Sequence, residues 1–137
     1  MTISETARDF FDARETGKGG EVCQAWCHDG ATFSCQADAL ADITSVAGYA
    51  DWVQGLLGPI PDGSYELTAF ATDEERGTVV AAAIFSGTHT GEGGPVPATG
   101  NKVATDYVYV MKFDGGKIRH MTKIWNDGHC LRALGWA

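Results

Sequence analysis

Basic residues are scarce in this chain of 137 residues: 10 lysines and arginines stand against 18 aspartates and glutamates, for a formal net charge of −8. Binding to phosphate-rich partners requires a concentrated basic surface, so this balance argues against nucleic acid and anionic membranes. The opening stretch MTISETARDFF lacks both a basic start and an apolar run. Neither a signal peptide nor a membrane span is expected, and a cytoplasmic location follows. In that reducing compartment Cys23, Cys27, Cys35 and Cys130 are expected to stay free thiols. The spacing of Cys23, Cys27, His28, His129 and Cys130 matches no zinc pattern, so no metal is expected. Missing as well are a P-loop, a dinucleotide glycine fingerprint and a Gly-x-Ser-x-Gly elbow. No cofactor is implied, and no repeat or linker divides the chain.

What is present is a switch of periodicity. Thr2 and Glu5 have the spacing of a capping box, and Ala7, Phe10, Phe11 and Arg14 follow on one helical face until Gly17. A second, shorter helix is predicted to carry Val22, Ala25 and Trp26 and to stop near Asp29-Gly30. Residues 31–36 alternate as a half-buried strand. From Ser45 to Leu57, Val46, Tyr49, Ala50, Val53, Leu56 and Leu57 form an apolar stripe ended by Gly58-Pro59. Strands are then predicted over 64–72, 77–90, 103–113 and 117–127, joined mostly by short turns and therefore antiparallel. Helices first and a meander afterwards make an α+β fold within one domain of residues 1–137, with the helices on the concave side of a coiled sheet. Alanines 81–83 beside many bulky rings predict space for a cavity. The stretch 78–85 is apolar on both faces, which points to a partner subunit covering the outer one.

Phe85-Ser86-Gly87-Thr88-His89-Thr90-Gly91-Glu92, then Thr99-Gly100, Gly116-Lys117-Ile118, Trp125-Asn126-Asp127 and Leu134-Gly135-Trp136 occur in an order that resembles the SnoaL-like polyketide cyclases of the NTF2-like superfamily. The resemblance covers almost the whole chain. It implies a cone-shaped fold with a mostly antiparallel mixed sheet enclosing a pocket, commonly a homodimer, and a small hydrophobic molecule as ligand. It also implies chemistry of the cyclase, isomerase or dehydratase type without metal or cofactor, in which an Asp near the end of the last strand moves a proton beside a carbonyl. Asp127 matches that role by motif, while the spacing from Gly116-Lys117-Ile118 places Asn126 there instead. Where the cyclases carry a His toward the end of the penultimate strand, this chain has Met111 and Lys112.

The residues that bear on chemistry each have a plain alternative. Asp127 is a general base if a poorly hydrated setting raises its pKa, or else the cap of the turn Asn126-Asp127-Gly128. His89, at the end of a long strand, is a pocket proton shuttle or a rim histidine. His120 is a third proton-moving candidate or a solvated sheet position. Asp106 is placed to pair with Lys123 or His120 across the ladder. Tyr107, Tyr109, Met111 and Trp125 offer an aromatic lining with phenols to polarise a carbonyl. Phe33, Tyr49, Trp52 and Trp26 are candidates to close the pocket, although such stripes more often form core. Three functions therefore compete: a cofactor-free enzyme on a hydrophobic carbonyl compound, a non-catalytic binding module using the same pocket, and a dimeric interaction domain.

Overall fold

The computed structural model describes residues 2–137. Helix α1 (Ile3–Glu15) begins at the capping box expected from Thr2 and Glu5, and it buries Phe10, Phe11, Arg14 and Glu15. Helix α2 (Gly19–Cys23) is shorter than its periodicity suggested and passes through a 3-10 turn, Gln24–Trp26, into strand β1 (Cys27–Cys35). The strand thus starts four residues before the predicted alternation. A second 3-10 turn, Asp38–Leu40, leads to α3 (Val46–Leu56), whose N-cap Ser45 accepts a bond from the Gly48 amide and whose stripe buries Val46, Tyr49, Ala50 and Val53.

Strands β2 (Ser64–Asp73), β3 (Thr78–Thr88), β4 (Lys102–Asp114) and β5 (Lys117–Trp125) follow. The sheet order is β1-β5-β4-β3-β2, with β1 parallel to β5 and every other pair antiparallel. The last predicted strand is two residues too long: β5 stops at Trp125, and Asp127–Leu134 form a helix, α4, that the sequence reading did not anticipate. This is the α+β cone: α1–α3 lie on the concave face and α4 packs against β4.

Two features fix which side chains face inward. Gly115 and Gly116, at φ 60° and 84°, make a two-residue turn between Asp114 and Lys117, the left-handed pair that matches strand twist. Phe113 then pairs with Ile118, but Lys112 pairs with His120, so Arg119 is an extra residue bulged from β5. The bulge inverts the alternation beyond it. Met121, Lys123 and Trp125 consequently face the helices, and His120, Thr122 and Ile124 face away.

The main core joins α1, α2 and α3 to the inner face of the sheet, and a smaller one gathers Ile60, Val103, Cys130 and Leu134 under α4. Ala81 and Ala83 are buried, but the space beside them is taken by α1, which packs on β3, and the cavity lies elsewhere. Helix α2 lies tight against α3: the Gly20 amide donates to Asp51 Oδ1 at 2.8 Å, and a Cβ on Gly20 would meet the Ala47 carbonyl oxygen at 2.5 Å. Backbone cannot yield there as a side chain can, so Gly20→Ala is expected to destabilise the fold by about 2 kcal/mol, read as a shifted denaturation midpoint.

Candidate active site

Where the two cores meet, a narrow cavity of about 50 Å³ is walled by Tyr49, Trp52, Val53 and Leu56 of α3, by Thr105, Tyr107 and Tyr109 of β4, and by Lys123 and Trp125 of β5. Cys130, Leu131 and Leu134 of α4 close it together with Trp136, and Glu15 of α1 reaches its inner end.

That inner end holds a buried polar chain. Glu15 and Arg14, adjacent at the last turn of α1, form a salt bridge out of contact with solvent. Tyr107 Oη donates to Glu15 Oε2 at 2.5 Å and Tyr109 Oη to Oε1 at 3.1 Å, while Arg14 Nη1 donates to Tyr109 Oη at 2.8 Å. Tyr49 Oη lies 2.6 Å from Tyr109 Oη, and Lys123 Nζ donates to Tyr49 Oη at 2.9 Å. A phenol has one hydrogen. Tyr109 gives its hydrogen to Glu15, so the hydrogen between the two phenols belongs to Tyr49. The chain therefore runs in one direction, from the Lys123 ammonium through Tyr49 and Tyr109 to the Glu15 carboxylate.

The electrostatics of this chain follow from its dryness. Burial pushes the Tyr49, Tyr107 and Tyr109 phenols upward, so they remain protonated. Burial alone would lower Arg14, but Glu15 and the phenols hold its guanidinium firmly charged. Lys123 is the exception: burial brings its amine down to about 7, with Glu15 opposing the fall and Arg14 adding to it. Its Nζ lies 4.1 Å from the Trp125 ring centre and within 5.4 Å of those of Tyr49, Trp52 and Tyr107, so ring faces replace part of the lost hydration of the ammonium form. Cys130, the thiol on the cavity wall, is raised to about 11 by burial and is a poor nucleophile at neutral pH.

The structure separates the residues singled out from the sequence. Lys123, Tyr107, Tyr109, Tyr49, Trp52 and Trp125 meet at the cavity. Phe33 stacks on Tyr49 at 4.5 Å, Trp26 packs at the margin of the main core and Met111 is buried within it; these three support the wall without lining it. Asp127 is the first residue of α4, where its carboxylate accepts from the Ala39 amide and from the Gly128 amide, both at 2.9 Å. Asn126 is the exposed N-cap and accepts from the His129 amide at 3.1 Å. Neither residue lines the cavity.

His120 lies on the outer face, bonded to Thr32 at 2.7 Å and to Ser34 at 3.0 Å, and burial with the nearby Lys112 and Arg119 charges lowers its pKa. Across the ladder it pairs with Lys112 of β4. Asp106 is exposed on that same outer face while Lys123 points inward, so the expected pairing of Asp106 with Lys123 or His120 does not form. His89 is fully buried, and its Nδ1 accepts from Trp136 Nε1 at 2.9 Å and from the Thr99 amide at 3.3 Å. An accepting Nδ1 puts the ring hydrogen on Nε2. His89 thus acts on the cavity through Trp136, one of its walls. The sequence places Arg14 on the buried face of α1 but assigns it no part in the site, and it does not single out Glu15; two charged residues at the end of an otherwise apolar helical face were the available signal.

The SnoaL-like polyketide cyclase family model matches residues 4–134. The chain belongs to that family. Solved structures with the same fold include AclR of Streptomyces galilaeus (TM-score 0.78, 19% identity, covering 98% of this chain and 82% of that one). IdmH of Streptomyces antibioticus follows at TM-score 0.77 and 18% identity, covering 98% and 99% of the two chains. A SnoaL-like polyketide cyclase from Agrobacterium tumefaciens also matches, at TM-score 0.70 and 18% identity over 98% and 99%. No curated protein matches the chain. The family suggests small-molecule chemistry of the cyclase or isomerase kind, without fixing a substrate. Among the described residues no helix is long and apolar enough to cross a membrane.

Lys123 also leaves a mark on stability. The unfolded chain holds this proton with the ordinary value of 10.5 and the fold with about 7. The penalty is therefore fully present below pH 7, and stability rises as pH climbs from about 7 toward 10.5. Lys123→Met is expected to abolish that rise and to stabilise the fold at pH 6 by roughly 1–4 kcal/mol, measured by denaturant titration across pH.

Proposed function

We propose that this SnoaL-like protein is a cofactor-free enzyme of the cyclase or isomerase type, acting by acid/base chemistry on a small hydrophobic carbonyl compound held in the cavity, with Lys123 as the proton-moving group. The observation that carries this reading is a buried amine on the cavity wall, titrating near neutrality and joined to a carboxylate by two phenols. As the free amine, Nζ takes a proton from a carbon beside the carbonyl; a pKa near working pH suits both uptake and return. Thr105 lines the cavity, and its Oγ1 already accepts from Trp125 Nε1 at 3.0 Å. Its own hydroxyl hydrogen is then free to meet the enolate oxygen. In this reading Asp127 and Asn126 anchor α4, His89 positions Trp136, and His120 serves the outer face.

The substrate is small, or it enters by moving Trp52, Trp125 or Trp136, because about 50 Å³ lies well below the ~300 Å³ of a usual ligand pocket. That narrowness also favours a second reading, a non-catalytic module that captures a compact apolar metabolite. We further propose a homodimer through the outer sheet face, where Ile124 is 59% exposed and Val80 37% exposed. Sedimentation should then give twice the 14.6 kDa of one chain. Free thiols at Cys23, Cys27, Cys35 and Cys130 suit the cytoplasm.

Deuterium exchange at the carbon beside the carbonyl, followed by NMR over a panel of small apolar ketones and diketones, tests the chemistry. The rate should rise with pH and level off above about 7 as Lys123 loses its proton. The groups facing that amine are Arg14 and Glu15 from α1, Cys35 from β1, Tyr49 from α3, Tyr107 and Tyr109 from β4, and Cys130 from α4. Lys123→Met should cost about 100-fold or more, and Asp127→Asn should leave exchange within about threefold. Exchange that survives Lys123→Met and collapses with Asp127→Asn assigns the base to Asp127. A bound ketone that never exchanges favours the capture module.

A further inference from the structure

Resting on the reading of the cavity as a carbonyl site, we propose that Lys123 also forms a covalent imine with small aldehydes and unhindered ketones, using Tyr49 and the relay behind it to move the protons. The same free amine that can accept a proton can attack carbon. Which event occurs depends on whether the ligand presents a C–H bond or a carbonyl carbon to Nζ.

Three observations place a nucleophilic amine here. Lys123 has no carboxylate partner: the ion pairs among the described residues are Arg8 with Asp12, Arg14 with Glu15 and Arg76 with Asp73. Among the described residues its single hydrogen-bond partner is the Tyr49 hydroxyl. The space before it is lined largely by apolar side chains such as Trp52, Leu56, Ile60, Phe85 and Leu134, a setting that disfavours the ammonium form and the return of the water released by condensation.

The steps balance without an oxidant or reductant. The Nζ lone pair forms the carbon–nitrogen bond, and the carbonyl π pair moves to oxygen. The proton lost by nitrogen passes to Tyr49 Oη as Tyr49 hands its own to Tyr109 and Tyr109 hands its own to Glu15 Oε1, along contacts of 2.9, 2.6 and 3.1 Å. Reversal of the relay gives that proton, through Tyr49 Oη, to the alkoxide, which makes the neutral carbinolamine; a second passage carries the remaining nitrogen proton to the hydroxyl, and water leaves as the nitrogen lone pair closes the carbon–nitrogen double bond. The product is an imine. Once protonated, it carries positive charge where the ammonium did, and the rings of Trp125, Tyr49, Trp52 and Tyr107 stabilise it as they stabilise the ammonium.

Acetylacetone is a suitable probe because it is compact and condenses with an unprotonated amine to a stable, ultraviolet-absorbing enaminone with loss of one water. The full chain is incubated with it near pH 7.5, and intact mass, absorbance and peptide mapping are followed. Labelling should reach one equivalent, at Lys123, well before the exposed Lys18, Lys102, Lys112 and Lys117 react. It should vanish in Lys123→Met and slow by about 100-fold in Tyr49→Phe, each checked for folding by circular dichroism. Labels spread over the four exposed lysines, with Lys123 unmodified, overturn the imine; if the ketones still exchange deuterium in a Lys123-dependent way, the general-base reading stands alone. If Lys123 neither labels nor supports exchange, both fall together.

Discussion

Everything in the cavity depends on an ion pair between neighbours in sequence. Arg14 and Glu15 leave the last turn of α1 on the side facing the sheet, and both are shut away from solvent. A charge in such a place is tolerated only with close partners, and each of the three cavity phenols, Tyr49, Tyr107 and Tyr109, is bound to the pair directly or through another phenol. The outermost link of that network is Lys123. Remove the pair and three tyrosines lose the acceptor that orders them.

This arrangement explains why the fold alone says little about the reaction. The cone, the roof of helices and the order of strands recur at 18–19% identity in AclR and IdmH, whereas chemistry resides in a few inward side chains that so distant a likeness leaves free to differ. Here the inward set is an amine, a carboxylate and phenols. The cavity wall carries a lysine, Lys123, four residues before Asp127, and the Asp127 carboxylate is bound into the start of a helix.

How far the sequence revealed this can be traced to particular residues. The capping box at Thr2 and Glu5 and the stripe from Val46 to Val53 lay in plain periodicity, and the meander followed from its turns. The aromatic wall at Tyr107, Tyr109, Tyr49 and Trp52 was legible as well, because bulky rings at inward parity leave few other places to go. Facing was not legible beyond the last hairpin. One extra residue at Arg119 shifts the phase of β5, and local pattern does not record it, since Arg119, His120, Thr122 and Lys123 are all polar. Counting from Gly115-Gly116 without the bulge turns Lys123 outward. Helix α4 was hidden for a related reason: Asn126-Asp127-Gly128 is equally good as a turn and as a helix start, and only the reach of Asp127 to the Ala39 amide distinguishes them.

The bond between Trp136 and His89 ties the end of the chain to the strand-to-loop junction after β3, across the wall that α4 provides. The indole is thus both masonry and latch. A molecule that passes this wall must first release a donor from a fully buried imidazole, so opening is a discrete event with its own barrier instead of a gradual widening. For a guest that takes the way past Trp136, in preference to Trp52 or Trp125, residence time would depend on the strength of that latch as well as on affinity for the walls.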